Sequence, residues 1–415
     1  MGLLATVLAG QPLSAQSVED SSNGQQASQV AEAESETKLA EKKPPVALTY
    51  GSKGLELRSA DGNYRAWFGL RAQLRSTFPF EDDPRTLTDL DGDDEVSLSV
   101  NRARFKWGGH AYRPWLDYYL EYDLVDSQLL DLRFTVEKWK ALQIRVGQWK
   151  AEYNRERRDS SGEQQFAERS IATRPFTLDR QNGLMISGRL WEGRAIDSHY
   201  WLGWFNGSGL GNYDSEGEPL YVARWQWNFT RRELEFSQGD LERRPEPHGS
   251  LAVAAARNRS RFTRFSSDGG GELEGFPSDA PERYDVDQLL FEAAFQQRGF
   301  SFQAEAHWKE IEDRRGEIGE NGRSTYEGGY AQAGYFFHEL WESFPTPLEF
   351  ALRVARVDAT EAPVRTAQGE VTLATNWFFN GHRNKLTVDV SRLNLEAPDG
   401  DDTGVRFRLQ WDVSF

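Results

Sequence analysis

Apolar and polar residues alternate with a period of two along most of the chain from residue 65 onward, the pattern of β-strands with one apolar and one polar face. The clearest case is residues 403–415, where every odd-numbered position from Val405 to Phe415 is apolar. The even-numbered positions between them are polar: Arg406, Arg408, Gln410, Asp412 and Ser414. Strands in globular proteins are commonly about five or six residues long, so an alternation of this length favours a strand that crosses a lipid bilayer.

Many segments repeat this alternation, and they predict about sixteen strands. These lie near residues 65–75, 96–107, 115–125, 131–137, 142–149, 182–191, 197–205, 220–229, 249–257, 285–297, 299–309, 325–337, 347–357, 368–379, 384–393 and 403–415. An even number of alternating strands is typical of barrels in the bacterial outer membrane. The predicted fold is therefore all-β, an antiparallel transmembrane barrel over residues 50–415.

The lengths of the connections between these strands support a barrel. Outer-membrane barrels have short periplasmic turns and longer external loops, so short and long connections should alternate. Most odd-numbered connections are long and most even-numbered ones are short. The short connection 126–130 and the long connection 230–248 are exceptions. The connection 150–181 is long enough that we expect it to fold inward and constrict the barrel.

The composition excludes several classes of protein. The chain has 415 residues, a formal net charge of −16, no cysteine, 14 Trp, 14 Tyr and 25 Phe. A disulfide scaffold, a thiol enzyme and a cysteine zinc site are excluded, and the aromatic content argues against a disordered chain. No apolar run is long enough for a transmembrane helix. Aromatic residues near strand ends, among them Trp67, Trp149 and Trp201, predict interfacial girdles.

Basic residues predominate on the polar faces of the strands, although the whole chain is acidic. These faces should line the lumen, because the apolar faces meet lipid, and basic rings favour anions in pores. The candidate pore-lining residues are Arg71, Arg102, Arg104, Arg133, Arg145, Lys150, Arg155, Arg157, Arg158, Arg224, Arg353, Arg406 and Arg408. The alternative is that these residues hydrate the lumen and pair with neighbouring acids.

The N-terminal region predicts export. Residues 1–15 resemble a signal peptide, with an apolar stretch from Leu3 to Gly10 and small residues before position 16. The usual basic start is missing, which is consistent with a truncated signal. Residues 16–49 predict a polar periplasmic linker or a short helix.

Several short motifs stand out along the chain: Asn101-Arg102-Ala103-Arg104-Phe105, Arg145-Val146-Gly147-Gln148-Trp149-Lys150, Glu168-Arg169-Ser170, Arg180-Gln181-Asn182-Gly183, Phe205-Asn206-Gly207 and the terminal Phe415. Together they resemble the phosphate-selective porin O and P family of Gram-negative outer membranes. The family usually has a proline and an aromatic residue after the lysine, whereas Ala151-Glu152-Tyr153 stands here. The resemblance implies a trimeric 16-stranded porin with a basic constriction for phosphate or polyphosphate, and it implies that Phe415 is the signal for the barrel-assembly machinery.

Other functions have less support in the sequence. A lipase would need a serine near a histidine, and His307, the one histidine in the middle of an inward strand face, has no evident serine partner. Glu292 and Glu305 are candidates for the carboxylate pair of a soluble glycosidase, but that leaves the alternation in residues 403–415 unexplained. A structural barrel or adhesin would not conduct. The acidic charge disfavours nucleic-acid binding.

The sequence therefore predicts an integral outer-membrane porin, a passive channel that prefers small anions such as phosphate or polyphosphate. A general porin or one for other solutes is the alternative. We expect no catalytic residue, no cofactor and no metal site. The expected partners are outer-membrane lipid and lipopolysaccharide, small anions, the barrel-assembly machinery and two further copies of the chain in a homotrimer.

Overall fold

The computed structural model describes residues 46–91, 96–211 and 218–415. The predicted signal peptide and residues 16–45 of the predicted linker lie outside the described residues. The strands are β1 (Val46–Gly51), β2 (Gly54–Ser59), β3 (Arg65–Phe78), β4 (Ser97–His110), β5 (Leu116–Asp123), β6 (Gln128–Trp139), β7 (Leu142–Lys150), β8 (Arg180–Leu190), β9 (Ser198–Phe205), β10 (Leu220–Trp227), β11 (His248–Ser260), β12 (Arg264–Ser266), β13 (Gly269–Gly271), β14 (Tyr284–Gln297), β15 (Phe300–Asp313), β16 (Arg323–Tyr335), β17 (Leu348–Thr360), β18 (Ala367–Phe378), β19 (Asn384–Ala397) and β20 (Gly400–Ser414).

Among the described residues, the helices are short and lie in the connections between strands. They are α1 (Leu87–Asp91), α2 (Arg155–Arg158), α3 (Thr173–Phe176) and a 3-10 turn at Phe337–Glu339. Within the described ranges, no helix is long and apolar enough to span a membrane.

Sixteen antiparallel strands close into a barrel. Each strand from β3 to β11 and from β14 to β20 pairs with its neighbour in the chain. The ring closes where β20 pairs with β3, with Ser414 opposite Arg71 and Phe407 opposite Phe78. The predicted 16-stranded antiparallel barrel is confirmed, and each predicted strand overlaps an observed one.

Two hairpins add to the sixteen strands that the alternation predicts. Strands β1 and β2 pair with each other, and β2 also pairs with the first part of β3, with Leu55 opposite Phe68. Because β20 pairs with the later part of β3, β2 and β20 follow one another along the same edge of that strand. The small hairpin β12–β13 lies in the connection between β11 and β14.

The barrel is inverted relative to a soluble protein, with its polar side chains buried and its apolar ones exposed. On β20, Val405, Phe407 and Leu409 are 47%, 49% and 46% exposed. Arg406 and Arg408 between them are each 2% exposed. An apolar surface of this kind is stable in lipid, where the closed sheet satisfies the backbone of every strand.

The two ends of the barrel differ in their connections. We call the end where β3 begins and β20 finishes the terminal end, and the opposite end the distal end. Terminal-end connections are mostly tight, such as Arg298-Gly299 between β14 and β15. Both of these residues have positive φ, 48° and 76°, as a two-residue type I′ hairpin requires, so glycine suits the second position.

Apolar side chains cover the distal part of the lumen along strands β14–β19. Leu273 and Phe276 from the connection between β11 and β14, together with Phe176 of α3, belong to one buried cluster with Val286 and Tyr326 of the wall. The lumen is therefore partly filled by its own connections rather than open across its whole width.

Charge on the lipid-facing surface should destabilise this barrel according to depth. We expect Leu409→Arg to lower the free energy of unfolding by about 2–4 kcal/mol, the cost of an arginine near the bilayer midplane. Thr403→Arg, on the same face of β20 but at its distal rim, should cost about 0–1 kcal/mol. Urea unfolding in lipid vesicles would measure both, and equal losses would contradict the orientation described.

Candidate functional site

Residues 151–179, which we call the inner loop, are held against the luminal wall by carboxylates. The amides of Arg155 and Glu156, at the start of α2, donate to Glu292 and Glu305 at 3.1 and 2.7 Å. Asn154, just before the helix, donates its side-chain amide to Glu305 instead of capping α2. Further along, wall carboxylates accept backbone amides in the same way: Asp389 from Ala167 and Glu370 from Ile171. Wall carboxylates therefore replace the sheet partners that this irregular backbone lacks.

Basic side chains of the wall bind the carbonyl groups of the inner loop. Arg75 donates to the Ala167 carbonyl at 2.6 Å and Arg353 to the Glu168 carbonyl at 2.9 Å. Lys385 donates to the carbonyl of Gln164. The loop is thus bonded to strands on several sides of the lumen, and most of its residues are buried.

A second segment enters the lumen from the terminal end. Residues 228–247, between β10 and β11, form the longest terminal-end connection, and we call them the second inward segment. Gln238 donates its backbone amide to the Glu163 carbonyl at 3.0 Å and accepts the Gln165 amide at 2.9 Å. The ring of Phe236 lies under the guanidinium groups of Arg155 and Arg158. The two segments therefore pack on each other inside the barrel.

Three cavities lie beside the inner loop. They have volumes of about 400, 230 and 340 Å³, and we call them the first, middle and third cavity. Lys106, Tyr119, Arg133 and Ser160 line both the first and the middle cavity. Arg145 and Arg158 line both the middle and the third. The middle cavity therefore adjoins both of the others, which lie toward the terminal end, where Phe415 lines the first cavity and Lys140 the third.

The middle cavity is strongly basic. Seven basic side chains line it: Arg104, Lys106, Arg133, Arg145, Lys150, Arg158 and Arg180. Three acidic side chains face them, namely Glu121, Asp131 and Glu152. A low-dielectric wall focuses the field of such an excess and concentrates anions.

The thirteen predicted pore-lining residues fall into two groups. Six of them line one of the cavities: Arg71, Arg104, Arg133, Arg145, Lys150 and Arg158. The other seven, which the cavities described above do not include, bind acids: Arg102, Arg155, Arg157, Arg224, Arg353, Arg406 and Arg408. Several of these contacts hold connections in place, as when Arg406 binds Asp83 and the carbonyls of Glu81 and Asp82.

Some cavity residues were not among the candidates. Lys106 shares the inward face of β4 with Arg104, so the alternation contained the signal for it. For Phe236 the signal in the sequence was weaker: it lies in a connection that is unusually long for its end of the barrel.

Trp67, Trp149 and Trp201 point inward and are buried, so their expected place in the lipid-facing girdle is wrong. The indole of Trp149 donates to Glu152 at 2.8 Å, a partner that only the lumen offers.

Burial and nearby charges shift the pKa values of carboxyl groups in the inner loop. Desolvation raises the pKa of Asp159 to about 7, against the opposing effect of Arg155. Desolvation also acts on Glu168, but the guanidinium groups of Arg102 and Arg75 outweigh it and hold the pKa of Glu168 well below its usual range. Burial therefore prevails at Asp159, whereas the neighbouring guanidinium groups prevail at Glu168.

The closed barrel resembles solved outer-membrane channels in its fold. OmpT from Vibrio cholerae in trimer form has a TM-score of 0.51 at 9% identity, covering 84% of this chain and 99% of that one. DcaP of Acinetobacter baumannii has a TM-score of 0.51 at 10% identity, covering 86% and 99%. The anion-selective porin from Comamonas acidovorans has a TM-score of 0.50 at 12% identity, covering 84% and 98%. The fold is that of an integral outer-membrane porin.

The family profile of phosphate-selective porin O and P matches residues 80–411. The chain belongs to this family, and it is a passive channel rather than an enzyme. No curated protein sequence matches the chain.

The buried ion pairs should be needed to hold the inner loop. Glu292 accepts from both Arg155 and Arg224, so Glu292→Gln would leave two buried guanidinium groups without their acid. We expect a loss of about 3–5 kcal/mol in the free energy of unfolding and tryptic cleavage after Arg155 or Arg158 in the folded protein. Glu235→Gln removes an exposed carboxylate from the second inward segment and is the control. Unchanged protease resistance in Glu292→Gln would contradict the proposed anchoring.

Proposed function

We propose that this porin is a diffusion channel that prefers small anions, and that anions pass beside the inner loop by way of the middle cavity, which the first and third cavities adjoin on its terminal side. The observation that carries the proposal is the excess of basic over acidic side chains around the middle cavity. The first and third cavities also have more basic than acidic side chains in their linings. A small anion is stabilised along this side of the lumen, whereas a cation meets repulsion.

The partly exposed basic residues carry this preference in the proposal. Lys106 and Arg133 retain 24% and 26% side-chain exposure and line two cavities. Arg133 contacts Asp131 at 2.8 Å and lies over the ring of Tyr119. The seven predicted residues bound to acids outside these cavities have a mainly structural role in this proposal, because a neutralised, buried guanidinium contributes little to the potential in the passage.

Several properties of the assembly are proposals as well. We propose a homotrimer in the outer membrane, as OmpT occurs in trimer form. Its apolar band would contact lipid and lipopolysaccharide, and Phe415 would serve the barrel-assembly machinery.

Reversal potentials in planar bilayers under a KCl gradient test the anion preference. We expect chloride to be more permeant than potassium in the wild type. Lys106→Gln combined with Arg133→Gln should lower the chloride-to-potassium permeability ratio, more at about 0.1 M than at about 1 M salt because salt screens the wall. Arg356→Gln removes an exposed arginine from the outer face of β17 and should change nothing. Cation preference in the wild type would overturn the proposal.

Phosphate selectivity is the more specific form of this proposal, and the family to which the chain belongs favours it. Guanidinium forks such as those of Arg133 and Arg158, which line the middle cavity, match the oxygens of phosphate. Adding inorganic phosphate to one side of a bilayer while chloride current is recorded should reduce the current at phosphate concentrations far below that of chloride. A current that falls only in proportion to the replaced chloride would instead indicate a general anion porin.

A further inference from the structure

Arg158 differs from every other basic residue of the inner loop. Arg155, Arg157, Arg169 and Arg174 each form an ion pair with an acid. The guanidinium of Arg158 forms no hydrogen bond and no ion pair with any residue in the described ranges, and its Nη1 atom is buried without a partner. A charge of this kind inside a protein is costly unless something else compensates it.

Aromatic rings hold the Arg158 guanidinium in place. Its central carbon lies 3.8 Å from the ring centre of Phe236 and 5.2 Å from that of Trp201. Phe236 comes from the second inward segment and Trp201 from β9, so two separate elements fix a side chain of the inner loop. A cation over an aromatic face is attracted by the ring without losing its hydrogen-bond donors, so the part of the Arg158 guanidinium that lines the cavities can donate to a ligand.

The position of Arg158 is the junction of the middle and third cavities, which it lines together with Arg145. Arg145 binds Glu152 at 2.5 Å. Two guanidinium groups thus face one carboxylate at this junction. Of these three described residues at the junction, Arg158 is the one that has no ion-pair partner.

We propose that Arg158 and Arg145 form a binding station for a small anion at the junction of the two cavities, and that Phe236 of the second inward segment positions Arg158 there. The inference rests on the proposed anion channel and adds a residue-level site to it. It gives the second inward segment a role in selection, because the segment fixes the guanidinium that the passing anion meets. Phe236 is a positioning residue in this proposal and does not itself bind the anion.

A double-mutant cycle tests the coupling between the two residues. We expect Arg158→Gln to lower the chloride-to-potassium permeability ratio by about fivefold, a change worth about 1 kcal/mol. Phe236→Leu, which keeps an apolar side chain but removes the ring, should shift the ratio in the same direction. Phe236→Tyr keeps the ring and should restore the wild-type ratio. In the Arg158→Gln background, Phe236→Leu should have no further effect.

Control variants distinguish a specific effect of Phe236 on Arg158 from a general disturbance of the second inward segment. Arg232→Gln removes an exposed arginine from the same segment and should leave the permeability ratio unchanged. An equal effect of Phe236→Leu with and without Arg158 would overturn the positioning role. An unchanged ratio in Arg158→Gln would overturn the station itself.

A second measurement does not depend on conduction, so it distinguishes this inference from the proposed function. 4-Hydroxyphenylglyoxal, which modifies free guanidinium groups, should label Arg158 faster than the ion-paired Arg155 and Arg157, as read by peptide mass spectrometry. Potassium chloride should slow labelling of Arg158 more than potassium gluconate at equal ionic strength. Identical labelling in the two salts would overturn anion binding at Arg158, even in a channel that proves anion-selective.

Discussion

The backbone of the inner loop runs through the barrel without a sheet or a long helix to satisfy its amide and carbonyl groups. Each such group costs free energy if it is buried without a partner, and the charged side chains of the wall meet this requirement. Carboxylates such as Glu305 and Asp389 accept its amides, and guanidinium groups such as that of Arg353 bind its carbonyls. The position of the loop, and with it the shape of the lumen, depends on these bonds.

Because of this requirement, some charged side chains of the lumen hold the inner loop, whereas others lie beside open space. An arginine that is bonded to both an acid and the loop backbone is structural, because removing its partner would leave a buried charge. The side of the lumen formed by β4–β8 keeps space between wall and loop, and the basic side chains around that space outnumber the acidic ones. In the proposed channel, the side filled by ion pairs and apolar contacts would leave the other side for solutes. The constriction is the joint product of the inner loop, the second inward segment and the wall.

The alternation along the chain predicted the sixteen barrel strands, because a period of two is a local property of each strand and one face of every strand meets lipid. It did not predict β1 and β2, since exposed and buried residues do not alternate along these two strands. It also could not tell which inward arginines stay free. Arg353 and Arg169 are close in the lumen although they are far apart in the sequence, so the partners of each charge depend on how the loop crosses the barrel. For the same reason Trp149, at a strand end, looked like a girdle residue although its indole binds Glu152.

The pairing of β20 with β3, which closes the ring, has a consequence for the order in which the barrel strands assemble. Strand β3 pairs along one edge with β2, its neighbour in the chain, and further along the same edge with β20, more than three hundred residues later. The first pairing closes a short loop and the second a very long one, and long loops are slow to close. Strand β3 can therefore be ordered early by a local meander, with the rest of its edge kept open for β20. The hairpin would act as a template for ring closure and would leave the final step to a single strand-to-strand docking event.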